Sequence, residues 1–245
     1  MHNFPLDPTP NTLSFFVVYM SHHIEPWSVG NYLSGICDHL EIYFPEVRSN
    51  HLSPLVSKTL QGMKKLRSRP TRCKLPLSRD HLLCAQNSLL PSSSHNDVLF
   101  VTMLITGTCG LLRLGELAIP DDPQIQNSRK IIQQESVELL GEDGFTFSLP
   151  FHKADRTFEG NRVVIRPIWS LHMCAVFCRY LHSHNDLFPL HPDLWVTAEG
   201  YPPTRKWFMN RLRRLEPDSR WAGQSMRACG ATALAEDGAA PHVIQ

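Results

Sequence analysis

The sequence predicts a mainly α-helical protein with one small three-stranded antiparallel sheet, an α+β arrangement. Apolar residues recur at helical spacing over most of the 245 residues, whereas short alternating segments occur only between positions 136 and 166. A stretch with two prolines and three basic residues, 68–77, separates the first helices from the rest. We therefore expect a helical domain at 1–67, a basic linker at 68–77 and a larger domain at 78–245.

Composition places the chain among ordinary globular proteins, with 42% hydrophobic and 19% charged residues. No apolar run is long enough to span a bilayer, so we expect no membrane association. The first residues lack the basic and apolar regions of a secretory signal. The seven cysteines are odd in number and scattered, which is typical of reduced thiols in an intracellular protein.

Charge is strongly segregated although the formal net charge is only +1. No acidic residue occurs from Val47 to Arg79, while nine of the 24 Lys and Arg residues fall there. A second basic cluster comprises Arg205, Lys206, Arg211, Arg213, Arg214 and Arg220. Two basic segments in a near-neutral chain favour a polyanion bound in a cleft.

Three helices are predicted in the first domain. Asp7 and Asn11 are candidate N-caps for a buried helix over 13–20, and Pro26 opens a second helix that Pro45 ends. Ser53-Pro54 opens a third, with its inward side expected to consist of Leu55, Val56, Thr59, Leu60, Met63 and Leu66. The basic residues expected on or near its outer side are Lys58, Lys64, Lys65 and Arg67.

The linker continues this basic surface through Arg69, Arg72 and Lys74. Two interpretations stay open at this stage. The segment is either a solvated connector with incidental charge or an extended contact to phosphates.

The second domain is predicted to contain helices over 78–89, 96–106, 168–182, 203–215 and 223–238. Strands are expected at 136–140, 145–149 and 162–166, with a hairpin turn at 141–144. The loop before the third strand carries Lys153.

Arg113 follows an apolar run that begins at Val101 and reads as a helix buried on all sides, interrupted by Gly107 and Gly110. A guanidinium at such a helix end needs an anionic partner, and Glu116 is one helical turn away. Either the two residues form a simple ion pair, or Glu116 orients Arg113 toward a phosphate.

Three motifs in order resemble those of the tyrosine recombinase, or phage-type integrase, family. The segment Gly110-Leu-Leu-Arg113-Leu-Gly-Glu116-Leu is similar to its first-arginine box, and Lys153 between two strands is similar to its hairpin lysine. Gln224-Ser-Met-Arg227, before a helix of small residues, is similar to its His-x-x-Arg box. The N-terminal helices with the basic linker resemble its SAM-like core-binding domain. Over about residues 5–245, the sequence is most similar to recombinase-like proteins of fungal mobile elements.

This resemblance implies breakage and rejoining of DNA phosphodiesters. Arg113 and Arg227 would hold the non-bridging oxygens, and Lys153 would protonate the leaving oxygen. The nucleophile of the family is a tyrosine, and neither a metal nor a nucleotide cofactor is needed. The implied partner is double-stranded DNA, on which copies of the chain assemble, and the fungal resemblance implies the nucleus. The other implied DNA contacts are Lys58, Lys64, Lys65, Arg67, Arg69, Arg72, Lys74, Arg205 and Lys206.

Two departures from the family pattern change the expected activity. Gln224 replaces a histidine and cannot relay a proton at neutral pH. No tyrosine occurs among the 18 residues after Arg227, and the five that precede it fit core or loop positions. We expect a truncated or decayed recombinase, incomplete at both termini, that grips DNA and does not cleave it unaided.

Other functions also fit parts of the sequence. The chain could be a non-catalytic DNA-binding or protein-interaction module with the recombinase fold, or a helical scaffold without a role on nucleic acid. Cys174, Cys178 and His182 share one helix face and suggest zinc, but they span about 12 Å at 1.5 Å per residue, too far for one ion. Taken singly, Lys153 and Arg227 also fit a solvated hairpin lysine and a helix-start pair.

Overall fold

The computed structural model describes residues 7–68, 75–92, 94–150, 160–167, 171–215 and 221–240. The chain forms two compact units, Met1–Arg72 and Cys73–Gln245. The first unit is helical, and the second combines helices with a small antiparallel sheet. The predicted fold class is confirmed.

The described residues of the first unit, 7–68, form four helices: α1 Pro10–His23, α2 Pro26–Leu40, α3 Val47–His51 and α4 Pro54–Arg67. Prolines start three of them, because the missing N–H of proline costs nothing in the first helical turn. The short α3 was not predicted. The buried core of the unit consists of Leu13, Val17, Val29, Leu33, Val56 and Met63.

The N-cap predicted for α1 was wrong. Thr9 caps the helix, with its side chain accepting from the Thr12 N–H at 3.2 Å, while Asn11 lies inside the first turn. Pro10 explains the shift, since its fixed φ suits the first helical position and leaves the cap to the residue before it. The capping role of Asp7 is therefore also excluded.

The inward side predicted for α4 was only partly right. Val56 and Met63 are buried, whereas Leu55 and Leu66 are 46% and 79% exposed. Tyr19 and Tyr32, for which core or loop positions were expected, are exposed on α1 and α2. A core of this size cannot cover every apolar side chain of the four helices.

The second unit is organised around α6, which runs from His95 to Cys109 and is buried over almost its whole length. The other helices of the unit are α5 Arg79–Leu89, α7 Leu114–Leu117, α8 Met173–Leu187, α9 Arg205–Leu215 and α10 Ser225–Glu236. Of these, α5, α7, α8 and α10 pack most extensively against α6. The all-round burial predicted for this helix is confirmed. Gly107 does not interrupt it, contrary to expectation.

The sheet is antiparallel in the order β1 Glu138–Leu139, β2 Phe145–Leu149 and β3 Asn161–Ile165. The first strand is shorter than predicted because residues 134–136 form a 3-10 turn. Gly144 connects β1 to β2 with φ +130°, and a Cβ there would lie 2.0 Å from the Ile165 carbonyl oxygen. Only glycine fits this turn.

The helix predicted to begin at Ile168 begins at Met173 and extends to Leu187, five residues beyond the predicted end. Residues 168–170 lie outside the described part of the chain. Phe177, Tyr180 and His184 anchor α8 in the core of the unit. Within the described ranges, no helix is both long and apolar enough to cross a bilayer.

Candidate DNA-binding site

The end of α6 aims the chain toward Arg113. Leu111 adopts a left-handed backbone with φ +52°, the only non-glycine residue to do so in the described ranges. Its N–H bonds to the Thr108 carbonyl at 3.3 Å, and the Leu112 N–H bonds to the Gly107 carbonyl at 2.9 Å. This Schellman pattern ends α6 and turns the chain directly into Arg113.

Glu116 holds Arg113 by two hydrogen bonds. The Arg113 backbone N–H donates to Oε2 at 2.7 Å, and the guanidinium Nη1 donates to Oε1 at 3.0 Å. The Glu116 side chain is only 10% exposed, whereas that of Arg113 is 48% exposed. The predicted pair therefore exists, and it orients a guanidinium that still meets solvent.

The α10 helix packs directly on the Arg113 turn. A Cβ on Gly223 would lie 2.6 Å from the Leu114 Cβ, and a Cβ on Gly230 would lie 2.0 Å from the Thr108 carbonyl oxygen. Met226 closes the contact, with its Sδ 3.0 Å from the Cβ position of Gly107. The glycines of both helices allow this close approach, which brings the two arginine motifs together.

Gln224 and Arg227 lie at the start of α10. Gln224 is the N-cap residue, is exposed, and makes no capping hydrogen bond with its side chain. Arg227 is half-buried one turn later. The Ser225 hydroxyl accepts from the Ala222 N–H at 3.0 Å, and the Ser225 carbonyl accepts from the Leu77 N–H at 3.2 Å. The helix start is thus fixed by side-chain and backbone bonds.

Lys153 lies in 151–159, outside the described residues. The strands on either side of it are described: Leu149 pairs with Asn161 at the end where this segment departs. At the other end, Ile165 packs against the α6 terminus, with its Cδ1 2.4 Å from a Cβ placed on Gly110. The hairpin is therefore attached to the Arg113 turn.

Exposed basic residues follow the outer side of α4. Lys58, Lys65 and Arg67 are exposed, and Lys64 is half-buried with its Nζ 4.3 Å from the centre of the Trp27 ring. This cation–π contact holds Lys64 beside an indole that is 64% exposed. Arg69, Arg72 and Lys74 lie outside the described residues.

The second basic cluster divides into two kinds of residue. Arg205 and Lys206, the two residues of this cluster that were expected to contact DNA, are exposed at the start of α9. Arg211 instead pairs with Asp97 at 2.7 Å, with both side chains 20% exposed, and lies 4.6 Å from the Trp207 ring centre. Arg211 therefore ties α9 to α6.

The cysteines of α10 and α8 are the remaining candidates for a chemical role. Burial raises the pKa of the Cys229 thiol to about 12, which makes it unreactive at neutral pH. Cys174, Cys178 and His182 follow one another along α8 as expected. In the described ranges, no three His, Cys, Asp or Glu side chains are grouped to hold a metal ion.

Comparison with known proteins gives the fold and not the family. No family model matches the sequence, and no curated protein matches it. The fold is similar to three solved recombinase structures. The Tn1549 transposon integrase in complex with circular intermediate DNA has a TM-score of 0.59 and 14% identity, over 97% of this chain and 76% of that chain. A lambda integrase dimer bound to a COC′ core site has a TM-score of 0.57 and 13% identity, over 98% and 75%. The XerA recombinase has a TM-score of 0.50 and 16% identity, over 96% and 88%.

The chain therefore has a tyrosine-recombinase-like fold over almost its whole length. Two of the three motifs quoted from the sequence occupy adjoining elements of that fold, the Arg113 turn and the start of α10, and the third, at Lys153, lies outside the described residues. Sequence reasoning missed the glycines that set their spacing. Gly223 and Gly230 were noticed only as part of a small-residue helix, and no periodicity indicates which helix they face.

Proposed function

We propose that this chain is a tyrosine-recombinase-like DNA-binding protein that grips a backbone phosphate between Arg113 and Arg227. The observation that carries the proposal is the packing of α10 on the Arg113 turn through Gly107, Gly223 and Gly230. A guanidinium oriented by a buried carboxylate, yet half-exposed, is suited to bidentate bonding of phosphate oxygens.

Lys153 is the third group of the proposed site. The chain leaves β2 at Leu149, four residues after Phe145, which pairs with Ile165. At 3.3 Å per residue, Leu149 is roughly 13 Å from Phe145. Lys153 itself lies four residues after Leu149, so the chain between them is long enough to return over that distance. In the proposal its ammonium approaches the leaving oxygen of the bound phosphodiester.

Other basic residues supply the rest of the proposed DNA surface. In the first unit they are Lys58, Lys64, Lys65, Arg67, Arg69 and Arg72, and in the second they are Lys74, Arg205 and Lys206. Their contribution is electrostatic and independent of base sequence. With the recombinase-like fold, it suggests that copies of the chain assemble on duplex DNA. A role on chromosomal DNA would place a protein of a fungal mobile element in the nucleus.

The 245-residue chain alone is proposed not to cleave DNA. Cleavage by this chemistry needs a tyrosine nucleophile, and no tyrosine follows Arg227 in the sequence. Gln224, at the position of the expected histidine, donates hydrogen bonds to phosphate without moving a proton.

Gel-shift titration of a DNA duplex at several salt concentrations tests the proposed binding of a phosphate by Arg113 and Arg227. Arg113→Ala and Arg227→Ala should each weaken binding about 10- to 100-fold, because each removes charge-assisted hydrogen bonds to phosphate. Each should also reduce the slope of log affinity against log salt by about 1. Arg179→Ala, which removes an exposed arginine of α8, is the matched control. Equal losses in all three variants would contradict the proposed site.

A nicked suicide duplex tests the chemistry separately. We expect no covalent protein–DNA adduct on a denaturing gel with this chain alone. A covalent adduct would contradict the proposal that this chain alone does not cleave DNA. It would still support the proposed phosphate site.

The second candidate function is a non-catalytic module that uses the same fold. Gln224 favours it, since the family's proton-relaying histidine is absent there. Restoring Gln224→His should leave the gel shift unchanged in such a module. If the same variant cleaves DNA when a tyrosine-bearing segment is added in trans, the function as a non-catalytic module is excluded.

A further inference from the structure

Two contacts tie the chain around the start of α5 to the start of α10, the helix that carries Arg227. The Leu77 N–H donates to the Ser225 carbonyl at 3.2 Å, and the Leu77 side chain is buried. Four residues later, the His81 ring meets the Trp221 ring edge-on, with the ring centroids 4.3 Å apart. One backbone bond and one ring contact therefore join the two elements where the chain enters α10.

The N-cap of α5 sets the orientation of the His81 ring. The Ser78 backbone N–H donates to Nδ1 of His81 at 2.9 Å, and the His81 backbone N–H donates to the Ser78 hydroxyl at 3.4 Å. A glutamate or glutamine at this position makes the same reciprocal capping bonds. Capping alone therefore does not require a ring here, and the ring of histidine adds the contact with Trp221.

Trp221 leads directly into the first turn of α10. Its side chain is only 7% exposed. The next residue, Ala222, exchanges two hydrogen bonds with Ser225: its N–H donates to the Ser225 hydroxyl at 3.0 Å, and its carbonyl accepts from the Ser225 N–H at 2.9 Å. A movement of Trp221 would therefore displace the first turn of α10, on which Arg227 lies.

We propose that His81 is a positioning residue for Arg227, which it holds in place by packing its ring against Trp221. The start of α10 has little freedom on the side of Gly223, where a Cβ would lie 2.6 Å from the Leu114 Cβ. The His81 ring contributes a second fixed contact. The effect on DNA rests on the proposed function, whereas the effect of His81 on α10 is measured without DNA.

Two substitutions separate the ring contact from the capping bond. His81→Phe keeps an aromatic ring beside Trp221 but has no acceptor for the Ser78 N–H. His81→Asn keeps an acceptor, since an amide oxygen replaces Nδ1, but has no ring. The proposal predicts a defect at α10 in His81→Asn and its rescue in His81→Phe. A role limited to capping α5 predicts the reverse.

Hydrogen exchange measured by mass spectrometry without DNA tests the hold on α10. The Ala228 N–H donates to the Gln224 carbonyl at 3.1 Å in the first turn of that helix. In His81→Asn, amides of this turn should exchange roughly 2- to 10-fold faster than in the wild type, because an aromatic contact is lost. Peptides from α8 should exchange as in the wild type.

Gel-shift titration with duplex DNA tests the consequence for the phosphate site. His81→Asn should weaken binding roughly 2- to 10-fold in the wild-type background. The same change should cause no further loss in Arg227→Ala, because a positioning residue has no effect once the residue that it positions is absent.

His191→Asn is the matched control. Nδ1 of His191 likewise accepts a backbone N–H, from Asp193 at 3.2 Å, and its ring lies 6.2 Å from that of Phe188. His191 is also half-buried, but it lies in the loop after α8. This variant should leave both the exchange at α10 and the affinity for DNA unchanged.

Three results would overturn the proposal: unchanged exchange at the start of α10 in His81→Asn, a larger defect in His81→Phe than in His81→Asn, or a loss of DNA affinity that adds fully to that of Arg227→Ala. If Arg227→Ala alone leaves DNA binding unchanged, the proposed function fails, and the exchange result still decides whether His81 holds α10. If His81→Asn does not fold, His81→Gln replaces it, since glutamine keeps the capping bond without a ring.

Discussion

His184 shows how a single buried residue makes this fold sensitive to pH. Its side chain is fully buried on α8, with Nε2 3.1 Å from the Asp193 carbonyl. Burial lowers the pKa of its imidazole, and the nearby His191 and His95 lower it further, whereas its hydrogen bonds to Asn185 and to the Asp193 carbonyl raise that pKa. The neutral form is therefore favoured in the folded state.

The predicted consequence is a loss of stability in mild acid. The folded pKa lies below the unfolded value of about 6.5, so the stabilisation is present above a pH of about 6.5 and is lost as the pH falls from there through the lower pKa of the folded state. Melting temperatures measured at decreasing pH should fall less steeply in His184→Gln than in the wild type. His182→Gln, an exposed neighbour on the same helix, is the control, and equal slopes for both variants would contradict this role.

Cys229 gives a second prediction for a single residue. Its buried thiol, with the pKa raised to about 12, should resist iodoacetamide at pH 8, while exposed Cys84 and Cys178 should react. Mass spectrometry of peptides from native and denatured protein measures this difference. Rapid modification of Cys229 in the native state would show that α10 is detached from α6.

Between elements, the α6–α10 contact depends on glycine. Gly230→Ala would place a Cβ 2.0 Å from the Thr108 carbonyl oxygen, so the helices must separate. We expect a loss of about 1–3 kcal/mol in the free energy of unfolding, together with weaker DNA binding. Gly115→Ala is the control, since a Cβ there meets nothing within 4 Å. Denaturant titration should show Gly115→Ala to be neutral or slightly stabilising.

The elements that could be predicted from the sequence are those whose structure is decided by residues close together in the chain. The all-round apolar run of α6, the β2 strand and the Arg113–Glu116 pair follow from neighbouring residues, and the sequence was sufficient for each. The Thr9 cap was missed because Pro10 decides it. The contacts of Gly223 with Leu114 and of Gly230 with α6 could not be predicted, since small residues indicate close approach without identifying the partner.

At the scale of the whole molecule, the sequence predicts that the linker at 68–77 joins two separately folded units. If it does, brief trypsin digestion should yield two stable fragments, cut between Arg67 and Arg79. The triple variant R69Q/R72Q/K74Q should slow this cleavage. Cuts scattered through both units would contradict the expectation. A gel shift with the same variant decides between phosphate contact and incidental charge for this segment.

Leu111 keeps a left-handed backbone that glycine would adopt with less strain, and its Cδ2 lies 2.7 Å from the Cβ position of Gly230. The contact of the Leu111 side chain with α10 therefore offsets the strain of its left-handed backbone. In an alignment of relatives, positions 111 and 230 should covary, with a large aliphatic residue at the first accompanied by glycine at the second. That signature offers a way to find distant homologues whose arginine motifs have drifted.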